Sequence, residues 1–251
     1  MIGFAQALPL IRKHTNADLR KPGLALEKVL AAIVQLLEKT LIRVGNDEYA
    51  RNNRSFGLTT LRDGHVEVKG GRVTFAFRGK SGVEHEVDLD DRRLARVVRQ
   101  CQDLPGYELF QYIDEKGDRK TIDSSDVNEY LRGITGQEFT SKDFRTWAGT
   151  VLAAQLLRDL EPFESDAQAR KNVVKAVEAV AKRLGNTKAV CRKCYIHPAI
   201  FDAYMDGSMV KTLAQRAARV ARTAAHLSAA EAAVLGLLQR RLAKEVRRRA
   251  S

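Results

Sequence analysis

The spacing of hydrophobic and polar positions changes period twice along the chain. Between Leu24 and Leu41, apolar side chains fall at Leu26, Val29, Leu30, Ile33, Val34, Leu37 and Leu41. Recurrence every three or four residues predicts an amphipathic helix that ends near Arg43-Val44-Gly45. Alternation then takes over. Leu58-Thr59-Thr60-Leu61, His65 to Lys69, Arg72 to Arg78 and Val83 to Leu89 read as short strands. Asp63-Gly64, Gly70-Gly71 and Gly79-Lys80-Ser81-Gly82 supply the turns between them. Val73, Phe75 and Phe77 alternate with Thr74, Ala76 and Arg78, the pattern of a strand with one buried face.

Helical spacing returns after Asp90. Asp91 to Gln102 reads as one helix. A polar loop from Glu115 to Arg119 and a cap at Asp123 or Ser124 lead into another that runs through Arg132. Thr140-x-x-Asp143 has the spacing of a capping box and opens the next. Ser165-x-x-Gln168 opens a long helix that runs to Leu184 and stops at Gly185. Ser228-x-x-Glu231 opens the last, which carries Arg240, Arg241, Lys244 and Arg247 to Arg249. The predicted fold class is α+β, mostly α-helical, with a small antiparallel sheet inserted at about residues 56–90. A sheet of that size cannot stand alone, so residues 1–251 are expected to form one domain.

Charge narrows the choice of partner. Lys and Arg number 43 against 31 Asp and Glu, a formal net charge of +12 over 251 residues. Such a surplus favours a polyanion, nucleic acid first and an anionic membrane surface second. No stretch reaches the ~18 apolar residues of a membrane span. Met1 to Leu10 carries no positive charge ahead of an apolar core, so a secretory signal is not expected. Cys101, Cys191 and Cys194 are few and odd in number, which fits a reducing compartment. A cytoplasmic, nucleoid-associated protein is the expectation.

Several side chains are candidates for chemistry. Arg43 sits past the end of the first strong helix; it either complements the helix dipole or presents a planar fork to a phosphate. Lys80 occupies a Gly-flanked hairpin tip, where a lysine is ordinarily a solvated ornament but can also deliver an ammonium to a leaving oxygen. Lys142 and Arg145 are three apart at a helix start, a natural resting place for phosphate and equally a solvated charged face. Tyr195 follows Lys188, Arg192 and Lys193, cations that attract phosphate and favour a phenolate, although a tyrosine ordinarily serves only to pack. Cys191-x-x-Cys194 with His197 suggests zinc, but the remaining cysteine, Cys101, is lone and distant, and no metal is expected. Gly79-Lys80-Ser81 is not a P-loop, since the first glycine of that motif would fall at Thr74.

In order and spacing, these segments resemble the catalytic domain of type IB DNA topoisomerases, of the small poxviral and bacterial kind. The resembling stretches are Leu41 to Leu61, Phe77 to His85, Lys142 to Thr150 and Leu184 to Tyr195. The resemblance implies that Tyr195 is a nucleophile attacking a DNA phosphate, and that Arg43 and Arg145 are the family's two arginines. It also implies that Lys80 is the hairpin lysine, Lys142 a further lysine, and Asn186 the hydrogen-bond donor nine residues before the tyrosine. Lys188, Arg192 and Lys193 would contact DNA. Many relatives carry histidine where this chain has Asn186; an amide still donates a hydrogen bond but carries no imidazolium charge. The implied activity is relaxation of supercoiled double-stranded DNA by a monomer, without ATP, metal or cofactor. The family usually places a small β-rich domain before the catalytic one; helices here begin almost at Met1, so that domain is expected to be missing. Tyrosine recombinases share the arginine–lysine–arginine–tyrosine chemistry but usually show His-x-x-Arg where this chain has Lys142-x-x-Arg145. The rival from another class is a basic DNA-binding module without catalysis.

Overall fold

The computed structural model describes residues 1–160, 162–209, 213 and 226–249. The chain divides into two compact units. One comprises Leu10–Phe144, the other Met1–Pro9 with Arg145–Ser251, so the division falls inside two helices, α1 (Ile2–Asp18) and α6 (Ser141–Arg158).

The Leu10–Phe144 unit is built around α2 (Leu26–Thr40). Its apolar positions match the expected spacing, but the helix is more central than a one-faced amphipath. Eleven of its residues are buried, including Lys28, Gln35 and Thr40. Gln35 makes that tolerable by donating to Thr15 Oγ1 at 3.3 Å and Asn16 Oδ1 at 3.1 Å on α1. Packed around α2 are α4 (Arg92–Gln102), α5 (Ser124–Thr135) and the strands β3 and β4 described next.

A three-stranded antiparallel sheet runs β1 (Val66–Lys69), β2 (Arg72–Arg78), β3 (Glu84–Asp90) in that spatial order. Val73, Phe75 and Phe77 are all buried, as their alternation predicted. In register they face Leu89, Val87 and His85 of β3. The outer edge of β1 is covered from α4, where Arg99 donates to the Val68 carbonyl at 2.6 Å and Gln102 to that of Val66 at 3.0 Å. An edge so covered does not recruit foreign strands. Asp91 caps α4 by accepting from Arg93 and Leu94 N–H, and its other oxygen takes Lys39 of α2 at 2.7 Å. A second, two-stranded sheet pairs β4 (Gln111–Ile113) with β5 (Arg119–Thr121); its strands are too short for the sequence pattern to show.

Leu58–Thr60, expected as a strand, is a 3-10 turn. The Thr60 hydroxyl accepts from Gly57 N–H at 3.0 Å and donates to its carbonyl at 3.1 Å, curling the chain instead of extending it.

The unit carrying Arg145 to Arg249 is helical: α7 (Asp166–Leu184), α8 (Lys188–Cys194), α9 (Pro198–Met205) and the last described helix, Ala229–Arg249. Ser165 caps α7 and Gly185, at φ 58°, ends it, both as the sequence predicted. Ser228 and Glu231 exchange backbone and side-chain hydrogen bonds in a reciprocal cap, and Glu231 also accepts from Trp147 Nε1 at 3.2 Å. Tyr204, fully buried, accepts from Asn172 at 2.8 Å and donates to the Leu160 carbonyl at 3.2 Å, which joins α7 and α9.

Candidate active site

Arg43 owes its position to the early end of α2. Thr40 bonds back to the Leu36 carbonyl at 2.6 Å, and Leu41 turns left-handed at φ 61°. The helix therefore stops two residues short of the arginine. Arg43 lies in an irregular run whose carbonyls are claimed by the next turn: Leu58 N–H donates to Arg43 O at 2.9 Å, and Thr59 N–H to Val44 O at 2.7 Å. Gly57 makes this approach feasible, since a Cβ there would lie 2.6 Å from both Arg43 O and Gly45 Cα. An arginine so braced has a fixed backbone and a half-buried side chain.

The Lys80 hairpin is tied to the same turn segment. Phe56 N–H donates to Arg78 O at 2.8 Å, one residue from Gly57. Gly79 N–H closes the tip onto Val83 O at 2.7 Å, and the His85 ring fills the space beside Gly79, where a Cβ would meet it at 2.5 Å. Ser81 and Gly82 both take positive φ. Lys80 itself is exposed, and its ammonium lies 5.6 Å from the centroid of the Tyr49 ring on α3 (Asp47–Asn53). Residues 56–58 thus hold both the Arg43 segment and the Lys80 hairpin.

In the other unit, two predicted residues meet, and a third lies two residues along the chain from their anchor. Arg145 is only 4% exposed. Its guanidinium donates to the Leu184 carbonyl at 2.7 Å, at the C-terminal end of α7, and lies 5.3 Å from the centre of the Tyr195 ring. Both contacts suit a cation: a helix C-terminus is the negative end of its dipole, and an aromatic face attracts positive charge. Two residues beyond Leu184, Asn186 N–H returns to the Ala181 carbonyl at 3.0 Å, and Thr187 caps α8 by accepting from Val190 N–H. Asn186 is therefore clamped between the end of one helix and the start of the next. Tyr195 forms the C-terminal cap of α8, donating its N–H to Cys191 O at 3.0 Å. On α6, Gly149 lets the Tyr195 carbonyl approach so closely that a Cβ would sit 2.5 Å away. Thr150 accepts from His197 N–H at 3.1 Å. A buried guanidinium, an amide and a phenol in this arrangement can bind a phosphate and attack its phosphorus.

Residues 1–223 match the family described as eukaryotic DNA topoisomerase I, catalytic core. The chain belongs to this family. Among its relatives is the DNA topoisomerase 1B of Acanthamoeba polyphaga mimivirus, 31% identical over 211 residues, 81% of this chain and 62% of that protein. The DNA topoisomerase 1B of vaccinia virus (strain Copenhagen) and the DNA topoisomerase I of monkeypox virus are each 20% identical over 203 residues, 80% of this chain and 61% of theirs. The chain therefore spans about three fifths of the length of these relatives. All three are viral, so the bacterial character expected from the sequence has no counterpart among them.

The remaining expected residues of this topoisomerase-family chain are more dispersed. Lys142 opens α6 and is exposed, whereas Arg145 on the same helix is buried. Three residues turn a helix by about 300°, which leaves the two side chains about 60° apart and lets the solvent boundary pass between them. Lys188 stands at the opposite end of α8 from Tyr195, about 10 Å along the axis by helical rise. Its ammonium pairs with Glu178 at 2.7 Å. Arg192 lies over the Phe201 ring at 5.0 Å, and Lys193 is exposed. The cations from Lys211 to Arg222 lie outside the described residues, as do the side chains of Arg247 to Arg249. Cys191 is buried and Cys194 exposed. Among the described residues no group of three or more His, Cys, Asp or Glu side chains is placed to hold a metal ion, and no helix is long and apolar enough to cross a membrane. Sequence reasoning missed Tyr49, Gly57 and Gly149. Asn46-Asp47-Glu48, a cap followed by two acids, was a readable signal for the helix that carries Tyr49.

Proposed function

We propose that this chain cuts and reseals one strand of double-stranded DNA and so relaxes supercoils, a reading supported by its family and by relatives named DNA topoisomerase. Tyr195 Oη attacks a backbone phosphorus, the phenolic proton passes to water, and the bond from phosphorus to O5′ breaks. The strand is held as a 3′-phosphotyrosyl ester, and the 5′-hydroxyl later reverses the step. Because the ester conserves the bond energy, resealing needs no ATP. Arg43, Arg145 and Asn186 stabilise the charge on the five-coordinate phosphate, each such donor being worth about 3–4 kcal/mol. Lys80, with Lys142, protonates O5′ as it leaves. Lys188, Arg192 and Lys193 neutralise flanking phosphates, the exposed Lys188–Glu178 pair being weak enough to exchange partners. Residues 1–251 act as one catalytic domain, as a monomer, on DNA in the cell's nucleoid.

The observation that carries this reading is the buried Arg145 guanidinium over the Tyr195 ring, anchored two residues from Asn186. Within a family named for DNA topoisomerase, it supports a nucleophile beside a phosphate-binding fork. The test is relaxation of a supercoiled plasmid in EDTA, with a denaturing gel to trap protein on a DNA 3′ end. Relaxation in EDTA with a 3′ adduct is expected, since cationic side chains are assigned the whole of the chemistry. Cleavage that requires magnesium, or recombined products, would contradict it.

A further inference from the structure

The helix α3 buries none of its side chains, yet it is held firmly at both ends. Asn46 accepts from Tyr49 N–H at 3.0 Å, and Ser55 N–H reaches back to the Tyr49 carbonyl past Arg54, which is left-handed at φ 48°. Tyr49 itself remains 49% exposed. Its ring therefore contributes little to a core, and one charged neighbour is informative: the Lys80 ammonium, 5.6 Å from its centroid, within cation–π range. The backbone of the Lys80 hairpin is fixed by the Phe56–Arg78 and Gly79–Val83 bonds. A lysine stem is nevertheless four carbons of free rotation, and an acid that must meet one oxygen benefits from fewer starting conformations.

We propose that Tyr49 is a positioning residue for Lys80, its ring face holding the ammonium near the orientation from which it protonates the departing O5′. This rests on the function proposed above. The step it serves is balanced: the Lys80 ammonium gives its proton to O5′ as the bond to phosphorus breaks, leaving a neutral amine and a 5′-hydroxyl. If O5′ is replaced by sulfur, the leaving group departs as a thiolate and requires no acid, because a thiol is far more acidic than an alcohol. Loss of the ring should therefore matter for oxygen and not for sulfur.

The experiment uses the full chain and single-turnover cleavage of two duplexes that differ only in that bridging atom, at a site mapped on plasmid DNA. Y49L, which removes the π face, is expected to slow cleavage of the oxygen substrate roughly two- to five-fold, the rate equivalent of an exposed cation–π contact of about 0.5–1 kcal/mol. It should leave the sulfur substrate at the wild-type rate. Y49F, which keeps the ring, should match wild type on both. K80A sets the scale, with a larger loss on oxygen than on sulfur. Equal slowing of both substrates by Y49L would overturn the proposal and make Tyr49 a DNA contact or a structural residue. An unchanged or faster oxygen rate would overturn it too. If wild-type protein cleaved neither duplex, the underlying function would fall and this role with it.

Discussion

Arg145 keeps only 4% of its surface exposed, and burying a guanidinium is costly unless hydrogen bonds or paired charge offset its lost hydration. Its planar fork already spends one arm on the Leu184 carbonyl, which sets the plane of the rest against Tyr195. Arg145→Ala should therefore lower the single-turnover cleavage rate by about 10²–10³ while DNA affinity changes little. Arg145→Lys should recover little of that rate, because a point charge cannot hold Leu184 and a phosphate together. Rates equal to wild type in either variant would remove Arg145 from the site. The sequence flagged Lys142 and Arg145 as a pair on one face. Which of the two turns inward was not legible, because that depends on where neighbouring helices meet α6 and not on the spacing.

At the scale of elements, Gly149 and Asp91 carry separate predictions. A methyl at Gly149 would lie 2.5 Å from the Tyr195 carbonyl and 3.3 Å from Leu184 Cδ1, so the chain around Tyr195 must move. Gly149→Ala should destabilise the fold by about 1–3 kcal/mol and slow cleavage as well, read by thermal melting beside single-turnover kinetics. Asp91 caps α4 and binds Lys39. Burial opposes its ionisation, but the Lys39 ammonium and the Leu94 and Arg93 N–H groups outweigh that and hold its carboxyl below the usual aspartate range. Its contribution is therefore present above that range and is lost as pH falls through the depressed value. Asp91→Ala should cost about 1 kcal/mol at neutral pH. In denaturant titrations at stepped pH, its deficit relative to wild type should shrink in acid. These elements were unequally legible. Ser165, Gly185 and Ser228 were readable as caps because capping has its own residue code, and the β2 alternation was readable because one face is buried. In contrast, α3 has no apolar stripe to detect, and Leu58–Thr60 curled through hydroxyl bonds that a hydrophobic period does not register.

For the whole molecule, a net charge of +12 on a chain proposed to act on DNA implies that much of the affinity comes from released counterions. The logarithm of the duplex association constant should fall linearly with that of salt concentration, by about 0.9 per phosphate neutralised. Lys193→Ala should flatten that slope by about 1 regardless of DNA sequence, as titrations by fluorescence anisotropy would show. Charge raised the expectation of nucleic acid from composition, but it said nothing of chemistry; that expectation came from Arg43, Lys80, Arg145, Asn186 and Tyr195 in order. The central claim is that Tyr195 becomes esterified to a DNA 3′ end. The most direct measurement is mass spectrometry of the covalent complex after protease and nuclease digestion. The account predicts a nucleotide joined through its 3′ phosphate to the tyrosine of the peptide containing Tyr195, and none in Tyr195→Phe. A nucleotide on any other residue, or a linkage through a 5′ phosphate, would contradict it.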